Sequence, residues 1–142
     1  MRFREVIAPP VWLLAFIYFL FTSISISLWA AIGNNPALWS QIILTVALVF
    51  IAVRSRMIIE IDENVLRIDD AHIELKYLSD VTILDADAMR LARGRDADPA
   101  AFLAIRFWSS RGVLVRIKDH RDPTPYWLIS SKRGKELAAV LR

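Results

Sequence analysis

The chain of 142 residues has no cysteine, only four glycines and only two histidines. Without cysteine there is no disulfide, no thiolate metal site and no thiol nucleophile, which fits a reducing compartment. His72 and His120 are too few for a histidine metal site unless carboxylates join them. The isolated glycines form neither a phosphate loop nor a dinucleotide fingerprint. The largest absence is of charge, because no Asp, Glu, Lys or Arg occurs from Val6 to Val53. A run of that kind excludes an ordinary soluble domain and excludes disorder over its length. What remains after it suffices for one small domain, not for a large enzyme with separate substrate and cofactor domains.

The composition is 56% hydrophobic, against about 45–50% for an average soluble domain. The uncharged run is too long for one span, and Gly33-Asn34-Asn35-Pro36 breaks it with a strong turn signal. Two spans are expected, about residues 9–32 and 37–53, within a hairpin of residues 1–56. Pro9 and Pro10 suit a helix entry, and Trp12, Trp29 and Trp39 lie near span ends, where indole prefers the interface. Ser23, Ser25 and Ser27 are expected either to bond their own helix backbone or to mark a helix–helix contact.

Arg2, Arg4, Arg54 and Arg56, set against Glu5, account for the whole formal charge of +3. The remaining part is neutral, so no nucleic-acid footprint is present. The basic flanks and the uncharged connecting loop place both termini in the cytoplasm by the positive-inside rule. The expectation is a two-pass plasma-membrane protein rather than a cleaved secretory leader.

Beyond Arg56 the pattern alternates with period two. Strands are expected over 57–62, 65–68, 71–76 and 81–84, separated by Glu63-Asn64 and Asp69-Asp70 turns. A helix follows, capped by Asp85 and stopped by Gly94, with Asp87 in its first turn and Arg90 and Arg93 in its last. Strands over 102–108 and 113–118 flank Ser109–Gly112, which reads as a hairpin connection. A seventh strand covers 126–130 and a C-terminal helix covers 131–142. The order resembles a seven-stranded antiparallel pleckstrin-homology-like barrel with a C-terminal helix, and an open α+β sheet is the alternative. Residues 57–142 are expected to fold as a cytosolic domain of their own.

Candidate contacts for a lipid or protein partner are the juxtamembrane pair Arg54 and Arg56 and the cluster Arg90, Arg93 and Arg95. Tyr126 and Trp127 join them, because Asp122-Pro123-Thr124-Pro125 is a stiff, extended lead into the last strand. Two donor-free prolines suit a sheet edge, which would leave an aromatic exposed for docking; the alternative packs it in the core. His120 beside Asp119 and Asp122, and the pairs Asp69-Asp70 and Asp96/Asp98, occupy positions where turns favour such residues anyway.

Several runs carry a resemblance. They are Phe3-Arg4-Glu5 with Pro9-Pro10-Val11-Trp12, Leu84-Asp85-Ala86-Asp87, Asp96-Ala97-Asp98-Pro99-Ala100-Ala101-Phe102, and above all Asp122-Pro123-Thr124-Pro125-Tyr126-Trp127-Leu128. On these the chain resembles a family of small actinobacterial two-span membrane proteins known only as a domain of unknown function. The resemblance implies the two-span plan and a bacterial plasma-membrane location, and it implies no catalytic residue.

The expected function is a non-enzymatic, membrane-tethered module that docks protein or lipid, with no catalytic residues, no metal and no cofactor. The alternative is a small structural subunit or assembly factor of a membrane complex, and the third reading is a membrane-surface enzyme. The expected partners are the lipid bilayer and a protein, with homo-oligomers through the spans and no nucleic acid.

Overall fold

A computed structural model describes residues 2–142, which divide into two compact units. One runs from Ala8 to Arg56; the other joins the segment preceding Ala8 to Met57–Arg142.

The first unit is a helical hairpin of α1 (Val11–Ile32) and α2 (Asn34–Arg54). The four-residue turn read from Gly33–Pro36 contracts to Gly33 alone, whose φ of 100° an L side chain rarely adopts. Asn34, Asn35 and Pro36 already belong to the first turn of α2, where the amide that proline lacks has no intrahelical partner. Both readings of the serines hold, at different positions. Ser23 and Ser27 donate to the carbonyls of Phe19 and Ser23 on their own helix. Ser25 is buried at the helix–helix contact, where it accepts a 3.0 Å bond from Ser40. Tyr18 and Gln41 add a second interhelical bond. Many large side chains, among them Phe16, Phe19, Ile43, Val46 and Phe50, are exposed.

Among the described residues the second unit contains eight strands in two sheets rather than seven in one barrel. β1 (Phe3–Ile7), β2 (Met57–Ile61), β3 (Val65–Ile68) and β4 (Ala71–Glu74) form the first sheet in chain order. β5 (Leu78–Leu84), β7 (Gly112–Ile117), β8 (Tyr126–Ser130) and β6 (Phe102–Ala104) form the second, in that spatial order. No strand pairing joins the two sheets among the described residues, so the barrel is not closed and the open α+β arrangement stands. A short 3₁₀ turn, Leu75–Tyr77, ends the predicted third strand early and leads into the next sheet.

β1 corrects the expected domain boundary. Residues 3–7, taken as a topological flank of the hairpin, pair antiparallel with β2 from Phe3↔Ile61 to Ile7↔Met57. Phe3, Glu5 and Ile7 face inward, while Arg4 and Val6 face out. A fragment beginning at Met57 therefore lacks an edge strand of its own sheet.

The second sheet corrects two further expectations. β6 and β7 are not a hairpin, because β8 lies between them and pairs parallel with β6 and antiparallel with β7. β8 is thus an interior strand, not an edge. Its proline lead-in is compatible with this because pairing there uses a carbonyl: Ile117 N–H donates to the Pro125 oxygen at 3.0 Å. Gly112 opens β7 where a Cβ would come within 2.3 Å of the Ile129 oxygen and 2.8 Å of Met89 Cε, so only glycine fits.

Burial follows the register. Trp127 and Ile129 of β8 join Val113 and Val115, the inner face of the first sheet, and Leu137 and Leu141 in one cluster. The helix α4 (Gly134–Leu141) supplies those leucines, starting three residues later than the sequence pattern suggests. Tyr126 and Leu128 face the other way and pack with Met89 of α3 (Ala86–Arg93). As predicted, Asp85 caps α3, accepting from Ala88 N at 2.8 Å, and Gly94 closes it.

Candidate functional site

The sequence-derived candidates do not converge. Arg54 sits exposed in the last turn of α2, and Arg56 is exposed just before β2. The expected arginine cluster is dispersed into local pairs. Arg90 lies 3.7 Å from Asp87, and Arg95 lies 3.4 Å from Asp96. Arg93 is part-buried: its Nη2 donates to the carbonyls of Arg106 and Ser109, tying α3 to the loop after β6. Burial pulls its guanidinium below the ordinary value. Tyr126 and Trp127, 9% and 6% exposed, are core residues and offer no exposed anchor. Phe102 stacks on Trp127 at 4.6 Å between ring centroids, and Tyr126 Oη accepts from Asp98 N.

The remaining candidates are held by local bonds. Asp69, at φ 52°, makes the tight turn between β3 and β4, accepts from Ile58 N at 2.9 Å and pairs with Arg106. Asp98 accepts from Ala100 N. Asp119 accepts from Arg121 N, while Arg121 donates to Tyr77 Oη, and no bond to His120 accompanies them. No group of three or more metal-ligating side chains lies together among the described residues.

A cleft of about 710 Å³ lies elsewhere, at one end of the second sheet. One wall is the end of β5 and the start of α3, Ile83–Asp87; the floor is Arg111 and Gly112; the other wall is Lys132–Glu136 at the start of α4. The topology brings these together, because β5 ends, β7 begins and β8 ends on the same side of the sheet. The start of α4 packs close to the floor, with the Cα of Gly134 oriented so that a Cβ would lie 3.7 Å from the Gly112 oxygen. A smaller cleft of about 290 Å³ shares Arg111 and Lys132 as lining residues.

A buried carboxylate organises the wall. Glu5 of β1 is 6% exposed; its Oε2 accepts from Ser131 Oγ at 2.5 Å and its Oε1 from Lys132 N at 2.9 Å. Ser131 Oγ in turn accepts from Arg133 N, and Ser131 N donates to the Arg111 oxygen at 3.1 Å. Ser131 is itself wholly buried, which makes the Glu5–Ser131 pair a tether rather than an exposed nucleophile and base. Arg133 donates to the Arg4 oxygen, lies 4.9 Å over the Phe3 ring and pairs with Glu136. The bond from Arg133 holds the Glu136 carboxyl below its ordinary value. The sequence offered one signal for this arrangement, a lone acid at an inward position of an alternating segment.

A family model described as "Protein of unknown function (DUF3093)" matches residues 2–141 of the chain. The chain belongs to that family. No curated protein and no solved structure matches it.

Proposed function

We propose that this family member is a membrane-tethered interaction module. Helices α1 and α2 cross the plasma membrane as a hairpin, both termini are cytoplasmic, and the α+β domain docks a protein or lipid partner without a catalytic step of its own. The observation that carries the reading is the β1–β2 pair: five residues before the apolar helices are hydrogen-bonded to five residues after them. That pairing supports placing both ends of the hairpin in one compartment, as two crossings provide and a single crossing does not.

Two further features support it. Both helices have a mean hydropathy of 2.1, with 6% and 0% of their most apolar stretch buried, unlike core helices of a soluble protein. Cleavage of α1 as a leader would remove β1 and with it the buried Phe3, Glu5 and Ile7. The basic flanks then orient the pair.

The test uses the absence of native cysteine. Single cysteines at Asn35 and at Asp70 are treated in intact cells with a membrane-impermeant maleimide. Labelling at Asn35 alone is expected, and labelling at Asp70 would overturn the topology. Crosslinking of the full-length protein then locates partners. Crosslinks on the domain support docking, whereas crosslinks confined to α1 and α2 support a subunit or assembly factor.

A further inference from the structure

We propose that the cleft between Asp85–Asp87 and Lys132–Glu136 binds a phosphate-bearing anion. The proposal rests on the reading of the domain as a docking module and names the ligand class that this site takes.

The argument is one of unequal pairing. Each acid on the cleft wall is already engaged: Asp85 accepts from Ala88 N, Asp87 pairs with Arg90, and Glu136 pairs with Arg133. Arg111, Lys132 and Lys135 line the same cleft, are exposed, and have no acidic partner among the described residues. The lining thus carries four cations, Arg111, Lys132, Arg133 and Lys135, against three acids, Asp85, Asp87 and Glu136, and three of the four cations have no ion-pair partner among the described residues, in a concavity of about 710 Å³, a size in the usual range for small-ligand sites.

The backbone beneath these cations is held independently of any ligand. Glu5 fixes Lys132 through its amide, and Ser131 fixes Arg111 through its carbonyl. Gly112 allows β7 to lie close against β8 and Met89, which sets the height of Arg111 at the floor. A site whose cations stand on pinned backbone loses less freedom when an anion arrives. Arginine can grip two phosphate oxygens at once, and the lysines add point charges. The uncapped start of α4 leaves amides on the same side, as additional donors. The shared chemistry is a phosphate group, carried either by a soluble phosphate compound or by a phospholipid headgroup.

The test uses the full-length protein and two triple variants of equal charge change. One is Arg111→Ala/Lys132→Ala/Lys135→Ala. The other is Arg95→Ala/Arg116→Ala/Lys118→Ala, which removes three exposed cations outside the cleft. Inorganic diphosphate is titrated by calorimetry onto each protein in a neutral detergent. Hydrogen exchange at residues 111–112 and 132–136 is then compared in nanodiscs of phosphatidylcholine alone and of phosphatidylcholine with phosphatidylglycerol. Thermal melting confirms that both variants are folded.

The expected result is saturable diphosphate binding, or slowed exchange in the phosphatidylglycerol discs, that weakens at least tenfold in the cleft variant and stays within twofold in the control. Diphosphate binding in detergent identifies a soluble phosphate ligand; protection only in the anionic discs identifies a headgroup. Equal loss in both variants would show general charge attraction and overturn the proposal. So would an absence of both binding and protection in the parent protein. Neither failure touches the topology test, so the docking reading stands or falls separately.

Discussion

The hairpin and the α+β domain arrange the same kinds of side chain in opposite ways. In the domain, Ile7, Met57, Ile59, Leu128 and Ile129 are enclosed and the charges, Glu5 excepted, lie outside that core. In the hairpin the few polar contacts, Ser25 with Ser40 and Tyr18 with Gln41, lie between the helices, while phenylalanines, isoleucines and valines face outward. On the proposed topology the inversion reflects different surroundings, lipid for the hairpin and water for the domain. Apolar burial drives the domain, whereas the hairpin relies on close packing and a few hydrogen bonds. β1 belongs to the first regime although the chain enters the second directly after it.

The most severe challenge to this contrast is a charge placed on either face of β1. Ile7→Asp buries an unpaired carboxylate and should cost about 4 kcal/mol, enough to unfold a marginal domain. Val6→Asp, at a neighbouring position that is 45% exposed, should change stability by less than about 1 kcal/mol. Chemical denaturation of the full-length protein, followed by circular dichroism, separates them. Equal effects would mean that residues 3–7 are not a strand of the domain.

A loss of comparable size is expected at the domain's interior strand. Trp127→Ala should destabilise by about 3–5 kcal/mol in the same assay, the range for truncating a core aromatic. A variant of undiminished stability would return Trp127 to the surface and β8 to the edge. The least effect is expected inside the hairpin. Ser25→Ala should cost about 0.6 kcal/mol, the average for a hydrogen bond between membrane helices. Ser23→Ala, which breaks only a bond within one helix, should be close to neutral in dimerisation-independent unfolding measured in detergent micelles. If Ser25→Ala proves as disruptive as Trp127→Ala, the hairpin is held by its polar seam and the contrast between the two units narrows.

Periodicity was most informative where one rule acted alone. In Met57–Ile61 and Val65–Ile68 the residues that the alternation places inward, Ile59, Ile61, Leu66 and Ile68, are enclosed. Asp85 and Gly94 marked the ends of α3 because capping is local chemistry. β1 was hidden because Glu5 occupies an inward position, so Phe3–Ile7 reads as a charged flank instead of an alternating strand. Its partner lies beyond the whole hairpin, and no local rule connects them. The parallel β6–β8 pair was masked for a related reason: the turn-forming residues after β6 resemble a hairpin, yet the chain crosses past β8 before returning as β7. In Tyr126–Ser130 two signals competed. The prolines pointed to an edge, while the apolar run pointed to a strand buried on both faces, and the run prevailed. The cleft was not legible at all. It depends on three separated segments meeting at one end of a sheet, and on which of their charges are already neutralised.

The β1–β2 pairing also imposes an order of events on synthesis. Phe3–Ile7 leaves the ribosome before its partner, Met57–Ile61, which follows only after both apolar helices have been made. Until then the first strand has no neighbour, and in the proposed topology it waits on the cytoplasmic side while the helices enter the bilayer. If the second helix fails to return the chain, β2 emerges in the wrong compartment and each strand keeps an unpaired edge, the state most exposed to misassociation and proteolysis. On the proposed topology, completion of the sheet thus reports that insertion has succeeded, and a chain of wrong topology is left with an unfinished domain.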